Sequence, residues 1–304
     1  MGLIERAIGA VGAGESAAGP AQPFARTDGE PFDIDAARLR KLGVYAPGGS
    51  AGSQAYELRA IKRRLLRRIG FLQRAGRDPR ALRNAGRQRN LVLFTSTRPG
   101  EGKSFVAINL ALSLALEERI PVCLIDGDTA RPRLRSYFGF AEQPGLVDLV
   151  AHQDRDLASV SRKATGAPLS FVSEGSRVSN PTELFGSAAA RRTFARLSLS
   201  HPDGIVLIDA PPVLATTETI ALARLADEVV FVVEADSTPQ PAIAAALDEI
   251  IEVNPNVSLV LNRCLAPAGG SYYSAYEYYE KRPVSGDAGD GAGEKSCPTR
   301  CANS

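Results

Sequence analysis

The chain has 304 residues, 36 Lys and Arg against 34 Asp and Glu, a formal net charge of +2, and 44% hydrophobic residues. That length holds one α/β domain with extensions or two small domains, and the hydrophobic content is ordinary for a globular protein. No apolar run is long enough to span a bilayer, four Cys do not suggest a disulfide framework, and two His, His152 and His201, argue against a His-rich catalytic metal site.

In chain order, residues 1–52 read as a largely disordered arm and linker. Leu3 to Ile8 has the pattern of a short amphipathic turn, without a signal-peptide h-region, so a cytoplasmic location is expected. Met1-Gly2 is followed by Arg at position 6, which does not fit myristoylation. Residues 9–31, rich in Gly, Ala and Pro, read as disordered, Phe32 to Leu42 as a short helix, and Gly43 to Gly52 as linker. Residues 53–89 form a basic helical region. Between Tyr56 and Asn90 stand twelve Lys and Arg against Glu57 and Asp78, an excess of about ten positive charges. Leu58, Ile61, Leu65 and Ile69 share one face of a helix over Tyr56–Ile69, with Arg59, Lys62, Arg63 and Arg67 on the other. Such a face is either solvated or docks to an acidic partner, a neighbouring subunit or an anionic membrane.

From Leu91, strands and helices alternate, which predicts βα units. Expected strands are Leu91–Thr95, Val122–Asp126, Leu169–Ser173, Ile205–Asp209, Glu228–Val233 and Ser258–Asn262. Expected helices are Lys103–Glu118, Leu146–Ala151, Thr182–Leu199, Glu218–Leu225 and Pro239–Val253. The strands are apolar throughout, as expected when helices cover both faces. Cys123 and Cys264 read as buried; Cys297 and Cys301 fall in a polar tail. Asn180-Pro181-Thr182-Glu183 supplies an N-cap and a Pro at the first helical position. The fold class is therefore α/β, a P-loop NTPase-type mainly parallel sheet with helices on both faces over residues 90–268. The basic helical region precedes it and a flexible Tyr-rich tail, 269–304, follows.

The sharpest motif is Thr97-Arg98-Pro99-Gly100-Glu101-Gly102-Lys103-Ser104, between a strand and a helix pattern that continues with Phe105. A Gly-rich turn and a helix N-terminus aim backbone N–H groups at one small volume, where the helix dipole favours anionic charge. Lys103 is placed to reach terminal phosphates and the Ser104 hydroxyl to ligate Mg²⁺. Thr97 stands where the usual pattern has Gly. Two more strands end in carboxylates, Val122–Asp126 continuing to Asp128, and Ile205–Asp209 continuing to Pro211-Pro212. In an open parallel sheet, ligands bind beyond the strands' carboxyl ends, so Asp126, Asp128 and Asp209 share that edge with the loop. Mg²⁺ is held through one or two carboxylates plus phosphate oxygens, which suits Asp209 and also Asp128. Either Asp126 or Asp128 is the candidate base for a substrate hydroxyl.

The tail carries Tyr272, Tyr273, Tyr276, Tyr278 and Tyr279 within eight residues, after the hinge Gly269-Gly270. A run of phosphate acceptors beside a Mg·ATP site points to self-phosphorylation between subunits.

These motifs together resemble the bacterial tyrosine autokinases of exopolysaccharide synthesis, the BY-kinases. Pro99–Ser104 corresponds to Walker A, Asp126-Gly127-Asp128 to Walker A′, Ile208–Pro212 to Walker B, and the Tyr run to the acceptor cluster. Ala215-Thr216-Thr217-Glu218 and Val233-Glu234-Ala235 look most like the exosortase-associated branch. The resemblance implies an ATP- and Mg²⁺-dependent tyrosine kinase regulating polysaccharide polymerisation or export. It implies a separate membrane chain-length regulator as partner, recruitment to the inner face of the plasma membrane, and no nucleic acid. It also implies that Asn262-Arg263 contacts the purine ring. Family rings use a Glu-x-x-Arg-x-x-Arg helix; here Arg59 and Lys62 take the basic slots but Tyr56 takes the acidic one. The Arg that commonly follows Asp128 by two positions is replaced by Ala130, with Arg131 next. Rival readings are a ParA/MinD-like switch ATPase and an inert adaptor of the polysaccharide machinery.

Overall fold

The computed structural model describes residues 21–25, 29–44, 53–74 and 88–264. The Tyr run, Cys297, Cys301 and the extreme N-terminus lie outside them. The elements are β1 (Glu30–Phe32), α1 (Ala36–Lys41), α2 (Ser53–Arg68), α3 (Phe71–Arg74), β2 (Leu91–Ser96), α4 (Lys103–Leu116), β3 (Val122–Asp126), α5 (Leu134–Phe138) and α6 (Leu146–Ala151). They continue with β4 (Ser161–Ala164), β5 (Leu169–Val172), α7 (Pro181–Gly186), α8 (Ala188–Ser200), β6 (Ile205–Asp209), α9 (Glu218–Ala223), β7 (Glu228–Glu234), α10 (Gln240–Val253) and β8 (Val257–Asn262).

One eight-stranded sheet runs β1-β4-β5-β3-β6-β2-β7-β8. The β4–β5 pair is antiparallel and the other pairs are parallel. Every residue of β2, β3 and β6 is buried, because alternate side chains enter two separate cores. Val92, Phe94, Leu124, Leu207 and Val230 pack with α2 and α4, whereas Leu93, Ile125, Ile208 and Phe231 pack with α6, α8 and α10. Helices thus cover both faces, as the continuous apolar strands require. Truncating one of the fully buried rings, such as Phe94→Ala, is expected to cost about 3–5 kcal/mol.

Several expectations are corrected here. Phe32 belongs to β1, not to a helix, and it is buried. Its ring meets Phe138 and Phe140 edge-on, with centroids 5.5 and 5.0 Å apart. This aromatic contact orders the end of a segment whose Gly, Ala and Pro content read as disorder. Phe24 is buried as well. The single helix expected over Thr182–Leu199 is two, because Ser187 takes an extended conformation and its hydroxyl caps Ala190 N–H. The Asn180 cap and the Pro at the start of α7 are present as read. Cys264 lies past the end of β8 and is exposed, while Cys123 is buried.

The basic helix is also not what its charge suggested. Lys62 is buried and leaves the polar face. Its Nζ donates to Ser113 Oγ at 3.1 Å and pairs with Glu117 Oε2 and Glu118 Oε1, each at 2.8 Å. The chemistry of this lysine is spent on riveting α2 to α4. Among the described residues, no helix is long and apolar enough to cross a membrane.

Candidate functional site: a phosphate loop ringed by carboxylates

Strand order places the chemistry. β3, β6 and β2 are neighbours, and Asp209 pairs in register with Asp126 on one side and Phe94 on the other. The carboxyl ends of three strands therefore bring the phosphate loop, Asp126-Gly127-Asp128 and Asp209 to one edge. Gly100 and Gly102 both have φ +96°, a left-handed conformation that side chains rarely adopt. A Cβ at Gly102 would also collide with the Asn262 amide. The loop then runs into α4, whose first N–H groups are free of intrahelical partners.

Lys103 is the hub of the charge network. Its Nζ lies 3.0 Å from Asp128 Oδ2, 3.5 Å from Asp209 Oδ1 and 3.3 Å from Ser104 Oγ. Burial alone would lower its pKa, but Asp209, Asp128 and Asp126 together raise it above the ordinary lysine value. It stays cationic across the physiological range.

The carboxylates divide in role. Asp126 is fully buried and its oxygens are occupied. Oδ1 accepts from Asp128 N–H at 3.2 Å, and Oδ2 from Arg133 and Leu134 N–H at 3.1 and 2.9 Å. It organises the turn into α5. Asp128 instead lines the open cavity and also accepts from Arg131 N–H at 2.8 Å. Asp209 is buried with neither oxygen hydrogen-bonded; its contact with Lys103 at 3.5 Å is an ion pair, too long for a firm hydrogen bond. Burial raises the pKa of Asp126 well above its usual value, with Asp209 adding to it, and burial likewise raises Asp209.

The cavity is about 690 Å³. Lys103, Ser104, Phe105, Asp128, Asn262 and Arg263 line it together with Pro99, Gly100 and Gly102. Sequence reasoning missed other members: Arg131, Arg133 and Tyr137 also face it. Burial raises the Tyr137 pKa, and nearby Asp209 adds to that. Glu218 is buried beside Asp128 and accepts from Thr129 Oγ at 3.0 Å, while its other oxygen is unpartnered. Burial raises its pKa. It stood in a stretch noted for its resemblance, but no pattern marked it chemically. Glu101 is not a phosphate ligand through its side chain. The carboxylate turns inward, 2% exposed, onto Thr97 and Arg98 N–H at 2.7 and 3.1 Å.

The Asp209 carboxylate, ion-paired with Lys103 but with neither oxygen hydrogen-bonded, and the Ser104 hydroxyl beside it fit a hard divalent cation that shares phosphate oxygens. Ser104, Asp209 and Asp128 are the side chains placed to hold it. The donor set is all oxygen, which suits Mg²⁺ over softer metals.

Comparison with known proteins agrees with this geometry. The chain is 34% identical over 196 residues to the putative tyrosine-protein kinase EpsB of Ralstonia nicotianae, covering 63% of this chain and 26% of that protein. Over this region the chain is similar to bacterial tyrosine-protein kinases. A second relative, the putative tyrosine-protein kinase CapB of Staphylococcus aureus, is 28% identical over 194 residues, 64% of this chain and 83% of CapB. Among solved structures, the BceF tyrosine kinase domain superposes with a TM-score of 0.58 at 26% identity, covering 78% of this chain and 93% of that one. The chain spans about a quarter of the length of the EpsB relatives. No family model matches it.

Proposed function

We propose that the protein is an ATP-dependent tyrosine autokinase that phosphorylates its own C-terminal cluster, Tyr272, Tyr273, Tyr276, Tyr278 and Tyr279. The observation that carries this reading is the cavity in which Lys103, Ser104, Asp128 and the Gly100–Gly102 loop converge. Loop amides and Lys103 hold the β- and γ-phosphates of ATP. Mg²⁺, when bound at Ser104 and Asp209, supplies charge neutralisation at the phosphate oxygens. A tail Tyr hydroxyl from a neighbouring subunit enters beside Asp128. Its oxygen bonds to the γ-phosphorus, the bond from that phosphorus to the β–γ bridging oxygen breaks, and ADP leaves with the electron pair. Asp128 takes the phenolic proton, which a tyrosine of pKa about 10 does not release unaided at neutral pH. Asp126, fully engaged by three backbone N–H groups, is the positioning residue. Such transfer depends on positioning and charge stabilisation more than on covalent chemistry. Each phosphate adds about −1.5 to −2 charges, so a modified tail is repelled from the acidic edge.

In this reading the kinase regulates exopolysaccharide polymerisation or export, is activated by a membrane chain-length regulator, and works as a homo-oligomer at the inner face of the plasma membrane. The competing switch-ATPase reading shares the loop but has no use for the Tyr run. Deleting residues 271–280 separates them. An autokinase loses phosphotyrosine while retaining nucleotide binding. Full phosphotyrosine in that deletion would exclude the tail as the main acceptor.

A further inference from the structure

The sequence marks Glu101 and Asn262 as nucleotide contacts, one within the loop and one at the purine. The geometry points to a different task for both. We infer that Glu101, Thr238 and Asn262 form an internal brace that sets the shape of the phosphate loop before nucleotide arrives. The inference rests on the reading that this loop binds nucleotide phosphates.

The Glu101 carboxylate, the Thr238 hydroxyl and the Asn262 amide nitrogen bond to one another or to the loop backbone. Glu101 Oε2 accepts from Thr97 and Arg98 N–H at 2.7 and 3.1 Å, pulling the first half of the loop around its own side chain. Glu101 Oε1 accepts from Thr238 Oγ at 2.6 Å. Thr238 lies in the connection between β7 and α10, so this bond fastens the loop to the next strand of the sheet. Asn262, the last residue of β8, donates Nδ2 to the Glu101 carbonyl at 2.8 Å. Its amide packs against Gly102 so closely that a Cβ there would displace it, and the positive φ of Gly102 adds strain to any substitution. Two glycines at positive φ would otherwise leave this turn free to sample many conformations. The brace fixes one of them by three hydrogen bonds to the Glu101 carboxylate and one to its backbone carbonyl; bonds to a carboxylate are the stronger kind. Loop amides that are already oriented cost less ordering when phosphate binds, and that difference appears as affinity.

A purine-reading asparagine and a loop-bracing one make opposite predictions for a ligand without a base. Full-length protein is titrated with a fluorescent ATP analogue and, by competition, with inorganic tripolyphosphate, both with Mg²⁺. Variants are Glu101→Ala, Thr238→Val, Thr238→Ser and Asn262→Ala. The brace predicts that each variant weakens ATP and tripolyphosphate by a common factor: roughly ten- to hundredfold for Thr238→Val, which removes a bond to the carboxylate, and roughly two- to tenfold for Asn262→Ala, which removes a bond to the Glu101 backbone carbonyl. Thr238→Ser restores affinity to near wild type, because it restores the hydroxyl. Glu101→Ala with Thr238→Val loses little more than Glu101→Ala alone, since the two share one bond. The KM for ATP rises with little change in kcat. Thr238→Val is small enough to fold, and circular dichroism with a thermal melt verifies that it has. Wild-type affinity in Thr238→Val overturns the brace, as does an Asn262→Ala defect confined to ATP. A wild-type chain that binds neither ligand overturns the phosphate-loop reading as well, so the two failures are told apart.

Discussion

Replacing Asp209 with Asn should stabilise the nucleotide-free protein while destroying its chemistry. Both Asp209 oxygens are buried without a hydrogen-bond partner, and the side chain faces Asp126 across the β3–β6 ladder. Burial outweighs the attraction of Lys103 and raises the Asp209 pKa. A raised carboxyl pKa means that the fold disfavours the ionised form. Ionisation therefore costs stability from the unfolded-state pKa upward, and the loss grows until pH passes the raised folded value. Asn carries no charge and removes that cost. Lys103 keeps Asp128 at 3.0 Å as its partner. Removing that buried charge, at the loss of one long ion pair to Lys103 and with the amide's polar atoms in the same surroundings, is worth about 1–3 kcal/mol. Taking about 1–2 kcal/mol of that, at roughly 2–4 °C per kcal/mol for a domain of this size, gives a rise in Tm of roughly 2–8 °C. The assay is scanning fluorimetry of wild type and Asp209→Asn from pH 5 to pH 8, without nucleotide and then with Mg·ADP. The Tm gap should widen as pH rises toward the raised folded pKa and stay constant above it. With nucleotide at about a hundred times Kd, wild type gains about 2.7 kcal/mol, and the variant gains far less. A nucleotide-free Tm below wild type at pH 7.5 would refute the claim that this carboxylate is held at a cost for binding.

Three further outcomes follow from named contacts. Asp126→Ala strips three backbone N–H groups of their acceptor, so urea denaturation should show a loss of at least about 2 kcal/mol; Asp128→Asn should stay within about 1 kcal/mol of wild type yet lose phosphotyrosine. The reverse pattern would make Asp126 the base. Lys62→Met keeps the aliphatic stem but removes the bonds to Ser113, Glu117 and Glu118, and with Glu118 half in solvent the loss should be about 1–3 kcal/mol; an unchanged urea midpoint would show that Lys62 does not rivet α2 to α4. Arg38 Nη2 and Nε reach the Ser136 and Tyr137 carbonyls at the end of α5, at 2.7 and 3.1 Å. Arg38→Gln should therefore speed hydrogen exchange across residues 134–140 with little change in global Tm, and unchanged exchange there would mean that α5 is held by Asp126 and the Phe cluster alone.

The candidate site was legible because its parts are strand ends. Leu91–Thr95, Val122–Asp126 and Ile205–Asp209 are short apolar runs closed by a polar motif, and the structure reproduces them to within a residue. Parallel strand pairing then assembled loop and carboxylates without further information. The elements that escaped have weak local signals. β4 is Ser161-Arg162-Lys163-Ala164, a polar strand toward the sheet edge, stabilised by pairing with β5 and β1 rather than by its composition. α5 lasts five residues and exists because Asp126 caps its start and Arg38 its end, both from outside its own sequence. Thr238 and Glu101 meet across 137 positions, a distance no local pattern encodes. Lys62 failed the reverse way. Charge alone places it on the polar face, yet Ser113 on α4 and Glu117 and Glu118 just past its end make burial favourable for a lysine.

The most direct measurement is intact-protein mass spectrometry of the full chain after incubation with Mg·ATP, followed by site mapping, for wild type and Lys103→Met. The account predicts several phosphates on wild type, located at Tyr272 to Tyr279, and none on the variant. Wild-type protein that binds ATP yet gains no phosphate on those tyrosines, or a Lys103→Met chain labelled as fully as wild type, would contradict it.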